Sequence, residues 1–215
     1  MEKITITTED GLKLSALLWN KEAFASVLLL HMMPAHKESW VPLADKLAET
    51  GFNVLAIDFR GHGESEGGDY TMFTPEQHQE SYIDVEASVE YLKALFPHTE
   101  VSLAGASIGA NMAIKYMAAH PEIGKGLALS AGLDYYGVRA IDDVQNLTES
   151  QQLLLVGARD DMRKAGSDCG TMAQQLADAA GSASHTVVYD VGGHGTDMWS
   201  AHPELLNTII KFIAE

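Results

Sequence analysis

The strongest constraint on this chain is a rhythm. Short runs of nearly continuous apolar residues recur along it, each followed by a longer stretch of helical period. Six runs, at 27–31, 53–59, 101–104, 126–130, 153–157 and 186–191, have strand length and almost no alternation. An alternating strand can leave one face in water. A continuous apolar run needs cover on both faces, as in a parallel sheet held between helices. Residues 76–96 follow Pro75 and place Tyr82, Val85, Val89, Leu92 and Phe96 at three- and four-residue steps, which predicts a helix. Residues 40–49, 108–119, 169–180 and 203–214 read the same way, and Gly51, Pro121 and Gly181 stop the first three. Two earlier runs, 4–8 and 12–19, alternate in character and flank Glu9-Asp10-Gly11, as the strands of an antiparallel hairpin do. Residues 134–150 are expected to be a short irregular excursion. The whole predicts an α/β fold, doubly wound, with a mostly parallel sheet and helices on both faces. With no repeat and no linker, the expectation is a single domain over residues 1–215.

Charge narrows the partners. Fourteen Lys and Arg against 30 Asp and Glu give a formal charge of −16, which argues against nucleic acid or an anionic membrane surface. No apolar run approaches the roughly 20 residues needed to span a bilayer. The lone Cys169 excludes an intramolecular disulfide, as in a reducing compartment, and residues 1–11 lack the basic and apolar regions of a secretory signal. The expected location is cytoplasmic.

In an open α/β sheet, chemistry gathers where strands end at their carboxyl edge. After the run at 101–104 comes Gly105-Ala106-Ser107-Ile108-Gly109. A G-x-S-x-G turn lets a serine occupy a sharp strand-to-helix bend, with its hydroxyl at a helix N-terminus that favours developing negative charge. The plainer reading is a glycine-rich turn with a helix-capping serine. After 153–157 comes Gly157-Ala158-Arg159-Asp160-Asp161, where an aspartate can orient a histidine or merely cap the next segment. Asp160 is the choice, with Asp161 competing for the role. After 186–191 comes Gly192-Gly193-His194-Gly195, a histidine free to act as a general base or simply to lie on the surface.

The chain order Ser107, Asp160, His194 resembles that of the α/β-hydrolase family, and the resemblance covers nearly the whole chain. Leu28-Leu29-Leu30-His31-Met32-Met33-Pro34 is similar to the family's oxyanion segment, and residues 58–65, DFRGHGES, are similar to its D-x-R-G-H-G-x-S turn. The resemblance implies eight strands with the second antiparallel. It makes Ser107 the nucleophile, His194 the base and Asp160 its orienting acid, with the Met33 and Ile108 backbone amides as oxyanion donors. It gives Arg60 and His62 a bracing role. Met32 departs from the usual glycine. Met32, Tyr135 and Tyr136 are either pocket walls or packing residues.

These readings predict a serine hydrolase acting on small carboxylic esters of short-to-medium acyl length. Thioesterase, amidase and perhydrolase remain alternatives on the same triad, and a non-catalytic binding module is a third class. The roughly twenty residues between the sixth and seventh runs are too few for a multi-helix cap. No cofactor is expected. No metal is expected either, since no metal-binding spacing of His, Cys and acids occurs. His36, His78, His98, His120, His185 and His202 are expected at the surface or as caps, and Cys169 is expected to be an inert thiol outside the motif turns.

Overall fold

In the computed structural model, which describes residues 1–163 and 166–215, the eight runs form one eight-stranded sheet. β1 (Glu2–Thr7) and β2 (Lys13–Trp19) are the antiparallel hairpin. β2 continues antiparallel onto β4 (Asn53–Ile57), and β4 lies parallel to β3 (Ala25–Leu30). Outward from β3 run β5 (Glu100–Ala106), β6 (Lys125–Leu129), β7 (Gln152–Ala158) and β8 (Ser184–Tyr189), all parallel. The spatial order is β1-β2-β4-β3-β5-β6-β7-β8. The chain leaves β3 toward β4 and then crosses back to β5. The carboxyl ends of β3 and β5 therefore flank the switch point, where such a sheet leaves a crevice.

β3 shows why both faces are apolar. Leu28 and Leu30 join the layer built with α3 (Ser81–Leu95), α4 (Ile108–Ala119) and α6 (Cys169–Ala180). Val27 and Leu29 join the opposite layer, with α1 (Val41–Glu49) and α8 (Leu205–Ala214). All four are fully buried, each contributing about 1.5–3 kcal/mol.

The largest differences from the sequence reading fall in two elements. The helix expected over 76–96 is two pieces, α2 (Pro75–Gln79) and α3, separated at Glu80. Thr74 and Gln77 form a capping box that starts α2. The break lets the pieces meet different partners. His78 of α2 lies against Phe73 and Tyr136, whereas Asp84 in the first turn of α3 accepts from Arg60 N and Nε. β8 begins and ends two residues earlier than its apolar run, leaving Val191 exposed. The segment between β6 and β7 holds the short α5 (Ala140–Asp143), and α7 (Met198–Ala201) follows the His194 turn. No helix among the described residues is long and apolar enough to cross a membrane.

Candidate active site

β5 ends at Ala106 and α4 begins at Ile108, so Ser107 alone turns the chain. Its φ of 53° and ψ of −119° lie in a region that costs a non-glycine residue about 1–3 kcal/mol. The surroundings hold it there. Ser107 N donates to Leu129 O at 2.8 Å, and its carbonyl accepts from Ala110 N and Asn111 N. Gly105 lies against the Gly109 carbonyl, and Gly109 against the carbonyls of Leu30 and His31, so neither position has room for a Cβ. The two glycines let α4 close onto β5 and β3. The Ser107 side chain makes no capping bond to α4, which removes the capping explanation for this serine.

The His194 turn meets the same corner. Gly195 N donates to Ser130 Oγ at 2.9 Å. A Cβ on Gly195 would stand 2.5 Å from Met32 Sδ and 3.1 Å from Ala106 Cβ, so this turn lies directly beside Ser107's neighbour. His194 Nδ1 is 2.7 Å from Asp161 Oδ2. No direct hydrogen bond joins Ser107 Oγ to the His194 ring here; such bonds often form only once substrate is bound.

The carboxylate that meets His194 is thus Asp161, and the choice of Asp160 is corrected. Past the end of β7 the chain carries Arg159 and Asp160 outward. It then turns back through a bond from Asp161 N to Ala158 O, which buries Asp161. Asp160 stays exposed, and its Oδ1 accepts from Gly192 N and Gly193 N at 3.0 and 3.2 Å. It shapes the histidine's loop instead of touching its ring.

Burial opposes ionisation of Asp161. Hydrogen bonds from His194, Cys169 and Ser130 overcome that and hold its carboxyl below the usual range. Arg163 Nη2 pairs with its other oxygen. Cys169, eight residues further on, is fully buried next to this acid. Its Sγ is 3.8 Å from both Ser130 O and Tyr135 Oη. Burial first, and then the Asp161 carboxylate, push the thiol up to about 12. Asp161, Cys169 and His194 bring donor atoms within 4.8 Å of one another, close enough to share one ion. A protonated thiol and an imidazole N–H directed at a carboxylate suit a hydrogen-bonded chain better than a metal.

On the segment that carries Met33, His31 is fully buried. Its Nδ1 donates to Met32 O at 2.8 Å and its Nε2 accepts from Phe59 N at 3.0 Å. Burial pushes its pKa down to about 3, so the ring stays neutral. Met32 O and Met33 N–H belong to one planar peptide and point in opposite directions. Holding that carbonyl therefore aims the Met33 amide away from His31. Ile108 N lies at the first position of α4. The Met32 side chain is buried in the α1/α8 layer. Tyr135 packs beneath Gly132 with its hydroxyl 3.4 Å from Ser130 O, and the half-exposed Tyr136 ring lies 4.0 Å from His78.

Arg60 pairs with Asp84 and Asp10, and His62 stacks on Tyr70. His78, expected at the surface, is buried because the 134–150 excursion folds over it. Three contributors escaped the sequence reading: Ser130, Cys169 and Lys37. Ser130 directly follows β6 at the same carboxyl edge, so the rule that found Ser107 reaches it too. The contacts of Cys169 and Lys37 leave no local signal.

A family model described as serine aminopeptidase, S33, matches residues 21–150. The esterase Pf2001 of Pyrococcus furiosus superposes with a TM-score of 0.82 at 22% identity, covering 99% of this chain and 89% of that one. Est1E of Butyrivibrio proteoclasticus, solved with ferulic acid bound, gives a TM-score of 0.79 at 20% identity, covering 99% of this chain and 100% of that one. A curated relative, the thiohydrolase aneE of Aspergillus aculeatus, is 37% identical over 84 residues, or 38% of this chain and 26% of that protein. The chain thus aligns with about a quarter of that relative's length.

Proposed function

The chain belongs to the serine aminopeptidase S33 family of α/β-hydrolases, and from that premise we propose that it hydrolyses small carboxylic esters through Ser107, His194 and Asp161. The observation that carries this reading is the 2.7 Å contact between His194 Nδ1 and the buried Asp161, on a turn packed against the strained elbow of Ser107.

Ser107 Oγ attacks the acyl carbonyl while His194 Nε2 takes its proton. Asp161 keeps the other ring proton on Nδ1 and stabilises the imidazolium as it forms. The negative charge on the acyl oxygen is received by the Met33 and Ile108 amides. His194 then protonates the departing alcohol and activates a water that releases the acyl group from Ser107. No step requires a cofactor. The segment joining β6 to β7 is short, and the exposed apolar side chains of Tyr136, Met162 and Val191 sit on loops at this sheet edge. An open site of that kind suits acyl chains of short-to-medium length. Thioesters are the second reading, favoured by the partial match to a thiohydrolase.

Intact-protein mass after fluorophosphonate treatment, on wild type and Ser107→Ala, tests the nucleophile. The expected result is a single stoichiometric adduct that the variant lacks, with turnover of p-nitrophenyl butyrate reduced by about 10⁶ in the variant. An adduct retained in Ser107→Ala would sink the assignment. Faster turnover of emulsified long-chain triglyceride than of soluble esters would sink the substrate class.

A further inference from the structure

The loop that carries the Met33 amide is tied down at both ends by two consecutive residues of another turn. At its start, His31 Nε2 accepts from Phe59 N. At its far end, Lys37 N donates to Asp58 Oδ1 at 2.8 Å, and Lys37 Nζ reaches Asp58 Oδ2 at 2.6 Å. Lys37 is 1% exposed and Asp58 0%, a rare fate for a lysine. The ammonium also meets Glu64 Oε2 at 2.9 Å and Glu38 Oε1 at 3.1 Å. Burial opposes its charge, but these three carboxylates hold it protonated, above the usual lysine range.

Asp58 is itself immobilised. Its N–H donates to Ser15 O, its carbonyl accepts from Ser65 Oγ, and Oδ2 also accepts from Glu64 N. Gly63 lies so close to the carboxylate that a Cβ there has no room. The lysine therefore anchors a catalytic loop to a fixed point. Stability alone is a weak reason for such a pair, because an apolar replacement of similar volume is often neutral or stabilising.

We propose that Lys37 is a positioning residue for the oxyanion site. Its buried ion pair with Asp58 fixes the reach of residues 31–37, so that the Met33 N–H stays aimed at the acyl oxygen. The inference rests on the ester hydrolysis proposed for Ser107. The peptide that presents this amide is held from both ends of the loop: His31 bonds its carbonyl and Lys37 fixes the segment beyond.

The test compares wild type with Lys37→Met and with Lys37→Met/Asp58→Asn on p-nitrophenyl butyrate. Active sites are counted by exhaustive fluorophosphonate labelling, and melting temperature is recorded. The double variant removes both buried charges together, so it avoids the unpaired Asp58 charge that the single variant leaves. Turnover per labelled site is expected to fall about 10–100-fold with KM changed less than about twofold, a smaller loss than the roughly 10²–10³ of deleting an oxyanion donor. A merely structural lysine would lower the melting temperature or the labelled fraction and leave turnover per labelled site intact. That outcome overturns the inference, as does a raised KM with undiminished turnover. A wild type that neither labels at Ser107 nor hydrolyses esters overturns the proposed function instead.

Discussion

Two adjacent aspartates offer a sharp test, because the structure gives them different tasks. Asp161 Oδ2 lies 2.7 Å from His194 Nδ1, while the Asp160 carboxylate accepts from the amides of Gly192 and Gly193. Asp161→Asn keeps the side-chain shape but removes the charge facing the imidazolium. With charge centres about 4 Å apart and an effective dielectric of about 20, that attraction is about 4 kcal/mol, or roughly 10³ in rate. The asparagine amide also permits the wrong histidine tautomer, so the loss expected in kcat/KM is about 10³–10⁴. Asp160→Asn retains a carbonyl oxygen to accept from both glycine amides, and its effect should stay under about tenfold. The assay is kcat/KM on p-nitrophenyl acetate at pH 8, with melting temperature recorded for both variants. Should Asp160→Asn lose as much as Asp161→Asn, the orientation argument built on the His194 contact is refuted.

Ser130→Ala removes the hydroxyl that accepts from the buried Gly195 N–H, at a cost of about 1–3 kcal/mol shared between stability and turnover. A kcat loss near tenfold is expected, and an unchanged kcat and melting temperature would show that the His194 turn is held by other contacts. Burial pushes His62 down to about 4. The unfolded chain takes up that proton near pH 6.5. The contribution of neutral His62 to stability is therefore full above pH 6.5 and is lost as pH falls from 6.5 toward 4, at up to about 1.4 kcal/mol per pH unit. His62→Phe keeps an aromatic ring for Tyr70 to stack on, and should flatten the fall in melting temperature between pH 6.5 and 4.5. An identical slope in the variant would contradict the assignment of a neutral buried ring.

The fold was legible because it depends on a property every window of sequence carries: whether an apolar run alternates. Leu28 and Leu29 face opposite layers of helices, and only an unbroken run can satisfy both. Ser107 was legible for a related local reason, since the glycines that let α4 close onto β3 and β5 flank it directly. The choice between Asp160 and Asp161 was not. The end of β7 says that an acid stands at the carboxyl edge, but which of two successive acids turns inward depends on the bond from Asp161 N to Ala158 O. Lys37 and Cys169 were illegible for a stronger reason. A charged loop residue is usually solvated, and a helical cysteine is usually inert packing. Only the convergence of Asp58 and Glu64 on the one, and of Asp161 and Tyr135 beside the other, gives them a task.

The site nonetheless grows out of the sheet in a regular way. Ser107 N donates to Leu129 O, Ser130 N to Val156 O and Arg159 N to Tyr189 O. Each bond extends the parallel ladder one residue past the end of a strand, onto the last residue of β6, the third from last of β7 and the last of β8. Sheet register thus sets where Ser107, Ser130 and Arg159 leave β5, β6 and β7. What remains for the loops is a short offset: none at Ser107, two residues from Arg159 to Asp161, and five from Tyr189 to His194. Uncertainty in reading the sequence rises with that offset for the acid, where side chains compete. It does not rise for the histidine, because Gly192, Gly193 and Gly195 leave His194 as the lone ionisable side chain within the turn.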